Sequence, residues 1–80
     1  MEEPKRRANE RKFGNWIELP GGGRRYRYDV INRGRRARYV KEVDHEERTT
    51  RFAQDIYEPG GRLVEIHEKF PVDLGHRKVD

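Results

Sequence analysis

Two sets of residues in this chain have types and spacing suited to chemistry. The first is arginine-rich. Residues 24–41 read RRYRYDVINRGRRARYVK and hold eight of the nineteen basic residues against a single acid, Asp29. A guanidinium fork matches two phosphate oxygens at once and stacks on bases. Arg25, Arg27, Arg36 and Arg38, with Arg33 and Arg35 beside the intervening turn, are therefore candidate contacts to the backbone of RNA or DNA. The second set is Glu65, His67 and His76, with Asp55 as a further candidate. Glu65 and His67 are two apart, so a strand projects both to one side, and His76 arrives from the tail. An imidazole that titrates near neutral pH beside a carboxylate is suited to general acid–base work. With Arg27 or Lys69 steadying a charged phosphorus centre, this is enough for a small, metal-independent ribonuclease of the toxin type using His67.

Other chemistries find no foothold. His45 lies in a charged turn and reads as solvated. The scattered histidines and carboxylates match no recognised metal-ligand spacing, so neither a metal nor a cofactor is expected. The glycines at 21–23 are followed by neither Lys-Ser/Thr nor a helical pattern, which excludes a phosphate-binding loop. RNA-recognition, cold-shock and zinc-finger signatures are absent.

The elements that must position these residues are strands. Residues 24–31 alternate with period two: Tyr26, Tyr28 and Val30 to one side, Arg25, Arg27, Asp29 and Ile31 to the other. Asn32-Arg33-Gly34-Arg35 is a hairpin turn. Setting Ile31 opposite Arg36 pairs Val30 with Ala37, Tyr28 with Tyr39 and Asp29 with Arg38. That register unites aromatics and opposite charges, and a one-residue slip spoils both faces. Ala37, Tyr39 and Val43 then face inward, with Lys41 a polar blemish among them. Residues 49–57 and 63–70 form a second hairpin around Glu58-Pro59-Gly60-Gly61, whose turn chemistry sets Glu58 opposite Arg62 and Ile56 opposite Val64. Val64, Ile66 and Phe70 face inward in this register, while Glu65, His67 and Lys69 share the arginine side. It leaves two like-charge conflicts, Asp55 opposite Glu65 and Arg51 opposite Lys69. Before these hairpins, residues 13–19 (FGNWIEL) read as a short strand with Trp16 in the core, closed by a Pro20-Gly21-Gly22-Gly23 turn.

The fold expected is all-β: an antiparallel meander of about five strands spanning residues 13–80, as a strongly curled sheet or small barrel-like fold. Residues 1–12, with no aliphatic side chain beyond Met1 and Ala8, read as a flexible charged arm. Residues 72–80 offer an edge strand or a cap on the core. Eighty residues with 31% hydrophobic and 42% charged composition allow one small domain. Without cysteine no disulfide can support it, and a second copy is one way to complete its core, which makes a homodimer an open reading. No apolar run has the length of a membrane span or a signal-peptide core, so no membrane is expected and the cytoplasm is the default location.

Charge is uneven along the chain. Residues 1–41 carry thirteen Lys/Arg and five Asp/Glu, and residues 42–80 carry six and ten. The function expected is a small, basic, non-enzymatic nucleic-acid-binding domain acting through the arginine-rich hairpin. A homo-oligomeric interaction module that docks an acidic protein partner is the second reading, and the ribonuclease is the third. With the tyrosines inward and read as core, the argument for base stacking is weakened.

Overall fold

The computed structural model describes residues 3–79. The elements run α1 (Glu3–Phe13), β1 (Asn15–Glu18), a short 3-10 turn (Pro20–Gly22), β2 (Arg24–Asn32), β3 (Arg35–Val43), β4 (Thr49–Tyr57), β5 (Leu63–Phe70) and β6 (Gly75–Lys78). The strands make one antiparallel sheet in chain order, with β1 and β6 as its edges. This is the expected meander, with β6 supplied by the tail. The sheet stays open, and no barrel forms.

The first hairpin adopts the expected register. Ile31 pairs with Arg36, Asp29 with Arg38 and Tyr28 with Tyr39. Its turn explains the fidelity: Arg33 (φ 53°) and Gly34 (φ 82°) are both left-handed, the two-residue geometry that matches strand twist.

The second hairpin departs from expectation. Its turn forms as read, with Glu58 N donating to Arg62 O at 3.0 Å and Gly61 N to Glu58 O at 2.8 Å. Beyond it, however, Tyr57 pairs with Leu63 whereas Ile56 pairs with Glu65, so Val64 is an extra residue in β5. A bulge of one residue reverses side-chain parity. Glu65 and His67 consequently stand on the tyrosine side of the sheet, and Ile66 crosses to the arginine side opposite Asp55. Lys69 is a second extra residue, after which Phe70 pairs with Phe52 as an inward residue again. The like-charge conflicts vanish with this shift: Arg51 Nη2 meets Glu68 Oε1 at 2.6 Å.

The N-terminus differs too. Residues 3–12 of the expected arm form helix α1, which also takes Phe13 from the expected first strand; Met1 and Glu2 lie outside the described residues. Lys, Arg, Glu and Ala are strong helix formers. Gly14 (φ 75°) ends the helix, its N–H donating to Glu10 O at 2.9 Å in a left-handed cap. The docking side of α1 is mostly polar, which is why no hydrophobic repeat announced it. Asn9 and Phe13 are buried against the sheet, and Phe13 joins Tyr26 and Val43 in the core with Tyr28, Tyr39 and Phe52 packed around them. Trp16, expected inside, is 38% exposed on edge strand β1. The Arg24 guanidinium lies 5.0 Å from its ring centre.

Under the helix sits a buried carboxylate. Glu47, in the β3–β4 loop, accepts hydrogen bonds from the Tyr26 hydroxyl, from Asn9 Nδ2 at 3.1 Å and from Arg6 Nε at 3.2 Å. Asn9 also accepts from Lys41 Nζ at 2.9 Å, which resolves the blemish on the inward face. Burial, reinforced by the neighbouring carboxylate, pushes the Tyr26 hydroxyl up to about 12. For Glu47 burial works upward, but the donors from Tyr26, Asn9 and Arg6 outweigh it and hold its pKa below the usual glutamate range. A carboxylate with a depressed folded pKa contributes stability that is present above its unfolded pKa and lost as pH falls through the folded one. Glu47→Gln should therefore cost about 2 kcal/mol at pH 7, lowering the thermal midpoint by roughly 8–16 °C. The variant should also lose less stability than wild type between pH 5 and pH 3. Thermal melts at three pH values check both, and equal acid sensitivity would remove Glu47 as the titrating group.

Candidate functional site

The two faces of the sheet differ sharply in electrostatics. Arg25, Arg27, Arg36 and Arg38 do share one face, as expected, but that face is a checkerboard. Across the strands Arg25 pairs with Glu42 and Glu42 with Arg51, while Asp29 pairs with Arg38 and Arg38 with Asp55. The side chains follow: Arg25 Nε to Glu42 at 2.9 Å, Arg38 to Asp29 through two bonds of 2.9 and 3.2 Å, and Arg36 Nε to Asp29 at 3.6 Å. The Arg38 hydrogen bonds hold Asp29 below the usual carboxylate range. Arg35, on the opposite face, has Glu65 at 3.9 Å. Among the described residues, Arg27 and Arg33 are the hairpin arginines with no carboxylate within 4.0 Å. With no element packed on the arginine face, Val40 and Ala53 are buried at its centre by the stems of the flanking long side chains.

The tyrosine face is only partly enclosed. Helix α1 packs on β1 and β2, so Tyr26 is fully buried while Tyr28 and Tyr39 are half-buried. A single row crosses five strands through paired positions: Tyr28, Tyr39, Gln54, His67, His76. Tyr28 and Tyr39 stack with ring centres 4.9 Å apart, Gln54 Nε2 donates to the Tyr39 hydroxyl at 3.2 Å, and the His67 and His76 rings are 4.4 Å apart. The sheet thus presents flat side chains side by side.

Lysines border this row. Lys69 reaches over the Tyr39 and Phe52 rings at 5.3 and 5.6 Å. Between α1 and the ends of β4 and β5 lie two adjoining clefts of about 510 and 250 Å³, which share Lys41, Thr49 and Phe70. Lys5 lines the first and Lys12 the second. Burial lowers the Lys41 pKa, and the charges of Lys12 and Lys5 lower it further against an opposing pull from Glu47. Phe70 is 43% exposed beside them. These cations repel one another, in contrast to the paired arginines.

The histidine candidates fall together. Glu65, His67 and His76 share the tyrosine face, whereas Asp55 stands on the other, so the four do not form one site. His67 Nε2 is 2.6 Å from Asp73 Oδ1, which also accepts from Gly75 N at 2.9 Å and so ties the ring to the β5–β6 turn. His67 Nδ1 is buried without a partner. Nδ1 is therefore turned into the fold, and Nε2 is engaged by the exposed Asp73. His76 is more open, with Nδ1 3.4 Å from Glu65 Oε1. Among the described residues, no group of three or more His, Asp or Glu is placed to hold a metal ion, and no helix is long and apolar enough to cross a membrane.

Sequence reasoning named Lys69 as a phosphate contact and Lys5 and Lys12 only as part of a phosphate-seeking arm; it missed their convergence with Lys41 beside the tyrosine row and gave Gln54 no role. The lysines meet only because α1 docks and because Lys69 occupies a bulge, and neither feature carries a hydrophobic signal. No protein-family model, curated protein or solved structure matches this chain.

The checkerboard makes a testable statement about the arginines. Asp29→Asn should change stability by less than about 1 kcal/mol, as expected for a partly exposed ion pair. It should also raise the salt concentration needed to elute the protein from a heparin matrix, because Arg36 and Arg38 lose their internal partner. Unchanged elution would mean that these arginines engage polyanions regardless of Asp29.

Proposed function

We propose that this protein binds single-stranded nucleic acid across the open part of its tyrosine face. The observation that carries the reading is the juxtaposition of a partly open row of flat side chains with Lys5, Lys12, Lys41 and Lys69, none of which has a carboxylate within 4.0 Å among the described residues. Bases of an unpaired strand have exposed faces that stack on aromatic rings, while a groove of positive charge follows the backbone. Tyr28, Tyr39 and the His67–His76 pair supply the stacking surface, and Lys5, Lys12, Lys41 and Lys69 supply the phosphate contacts. Lys69 caps Tyr39 and Phe52 in the unbound protein. A stacking base displaces that cap and leaves the ammonium beside its phosphate. Arg27 and Arg33 add outlying contacts at the hairpin that the sequence singles out, and the other hairpin arginines act first within the protein.

Fluorescence anisotropy with single-stranded and duplex oligonucleotides over a salt series tests this reading. Single strands should bind more tightly than duplexes. Four lysine–phosphate contacts imply a slope of roughly −3 for log affinity against log salt. Lys12→Glu and Lys69→Glu should each flatten that slope by about 1, and Tyr39→Ala should cost about 1–3 kcal/mol of affinity. Absence of binding at low salt would end the proposal. Loss of binding only on charge reversal at Arg25, Arg27, Arg36 and Arg38 would move the interface to the opposite face.

A further inference from the structure

We infer that the far end of the tyrosine face is an RNA-cleaving site, in which Glu65 is the general base and His76 the general acid of a 2′-O-transphosphorylation. The inference rests on the single-strand reading above and names the chemistry done on the bound strand. Its basis is a cleft of about 380 Å³ floored by Val30, Ala37 and Ile56 and rimmed by Arg35, Glu65 and His76. An apolar floor with a few convergent polar groups suits a nucleotide, with the base on the floor and the phosphate at the rim.

The rim groups converge on one another, and an in-line displacement has the Glu65–His76 contact open so that the phosphate enters between them. His76 Nδ1 is 3.4 Å from one Glu65 carboxylate oxygen, and Arg35 Nη2 is 3.9 Å from the other. The two titratable groups differ in kind. A carboxylate can accept a proton and an imidazolium can donate one, the two roles that general acid–base catalysis needs. His76 is held against β5 by its pairing with His67, and His67 is itself fixed by Asp73 at 2.6 Å. His67 is thus a positioning residue whose ring sets the place of His76.

In the reaction, the Glu65 carboxylate takes the proton of the ribose 2′-hydroxyl. The 2′-oxygen forms a bond to phosphorus as the bond from phosphorus to the 5′-oxygen breaks. The His76 imidazolium gives its proton to that departing 5′-oxygen, and the Arg35 guanidinium faces the charge that builds on the equatorial oxygens. The products are a 2′,3′-cyclic phosphate and a 5′-hydroxyl. Exchange with solvent then restores the proton on His76 and removes the one on Glu65, so nothing else is consumed. A strand without 2′-hydroxyls cannot react.

The test incubates full-length protein with end-labelled single-stranded RNA and with DNA of the same sequence, in the presence of EDTA, and follows both binding and cleavage. Wild type should cut RNA to cyclic-phosphate ends, leave DNA intact and show a bell-shaped pH profile. Glu65→Gln and His76→Gln should each slow cleavage by about 100-fold or more while keeping the thermal midpoint, and Glu65→Gln should also keep RNA affinity. His67→Asn should shift the pH profile of cleavage, read at saturating protein so that a change in RNA affinity does not enter. RNA that is bound but uncut by wild type would overturn this inference and leave the binding proposal standing. RNA that is neither bound nor cut would overturn both. Cleavage at the wild-type rate by either Gln variant, or equal cutting of DNA, would also overturn it.

Discussion

The structure depends on one buried charge. The Glu47 carboxylate is the point where the helix, the second strand and the β3–β4 loop meet, because Arg6, Asn9 and Tyr26 all donate to it. A carboxylate removed from water is costly unless its oxygens are satisfied, so these three donors are required together. Meeting that requirement fixes where α1 can lie. The helix is drawn to the Tyr26 end of the sheet and stops at Gly14, before it reaches the part of the face where Tyr39 and Gln54 lie. The partial exposure of the row beyond Tyr28 is therefore a consequence of where the helix is tied. Glu47 does this from a backbone conformation (φ 68°) that side-chain-bearing residues seldom adopt, a strain tolerated where the surroundings demand it.

Parity is the second determinant. In a sheet, which face a side chain occupies follows from counting, and each extra residue changes the count for everything beyond it. The bulge at Val64 moves Glu65 and His67 from the arginine side to the tyrosine side, and Lys69 moves the count back before Phe70. The result is a division of labour. One face neutralises its own arginines with Asp29, Glu42 and Glu68, and holds small buried residues under their stems. The other gathers rings, imidazoles, an apolar cleft and lysines that form no close ion pair among the described residues. Net charge alone pointed to the first face, and the distribution of partners points to the second.

What was legible in the sequence had local causes. The first hairpin could be read to the residue because the Arg33-Gly34 turn and the Tyr28–Tyr39 and Asp29–Arg38 pairs all favour one register. The Glu58–Gly61 turn could be read for the same reason. The bulge could not, since Val64 is as apolar as the strand around it, although the like-charge conflict between Asp55 and Glu65 was its trace. Helix α1 escaped because its docking stripe is Arg6, Asn9, Glu10 and Phe13, which shows no apolar repeat. Glu47 looked like any charge in Asp44-His45-Glu46-Glu47-Arg48, and only the helix above it gives it a role. Glu65 and His76 were recognised as chemically able, and the pairing of β6 with β5 is what places them together.

The brevity of the edge strands has a consequence for how the protein lives among other proteins. An open sheet offers bare N–H and C=O groups along both rims, and a long flat rim recruits further strands into fibres. Here β1 is Asn15–Glu18 and β6 is Gly75–Lys78, each of four residues, flanking inner strands of eight or nine. Another chain that tried to extend the sheet would find a short rungway bordered by Pro20 on one side, and His76, Arg77 and Lys78 on the other. The outermost strands thus leave only four-residue rims at the two ends of the sheet, too short to template a long added strand.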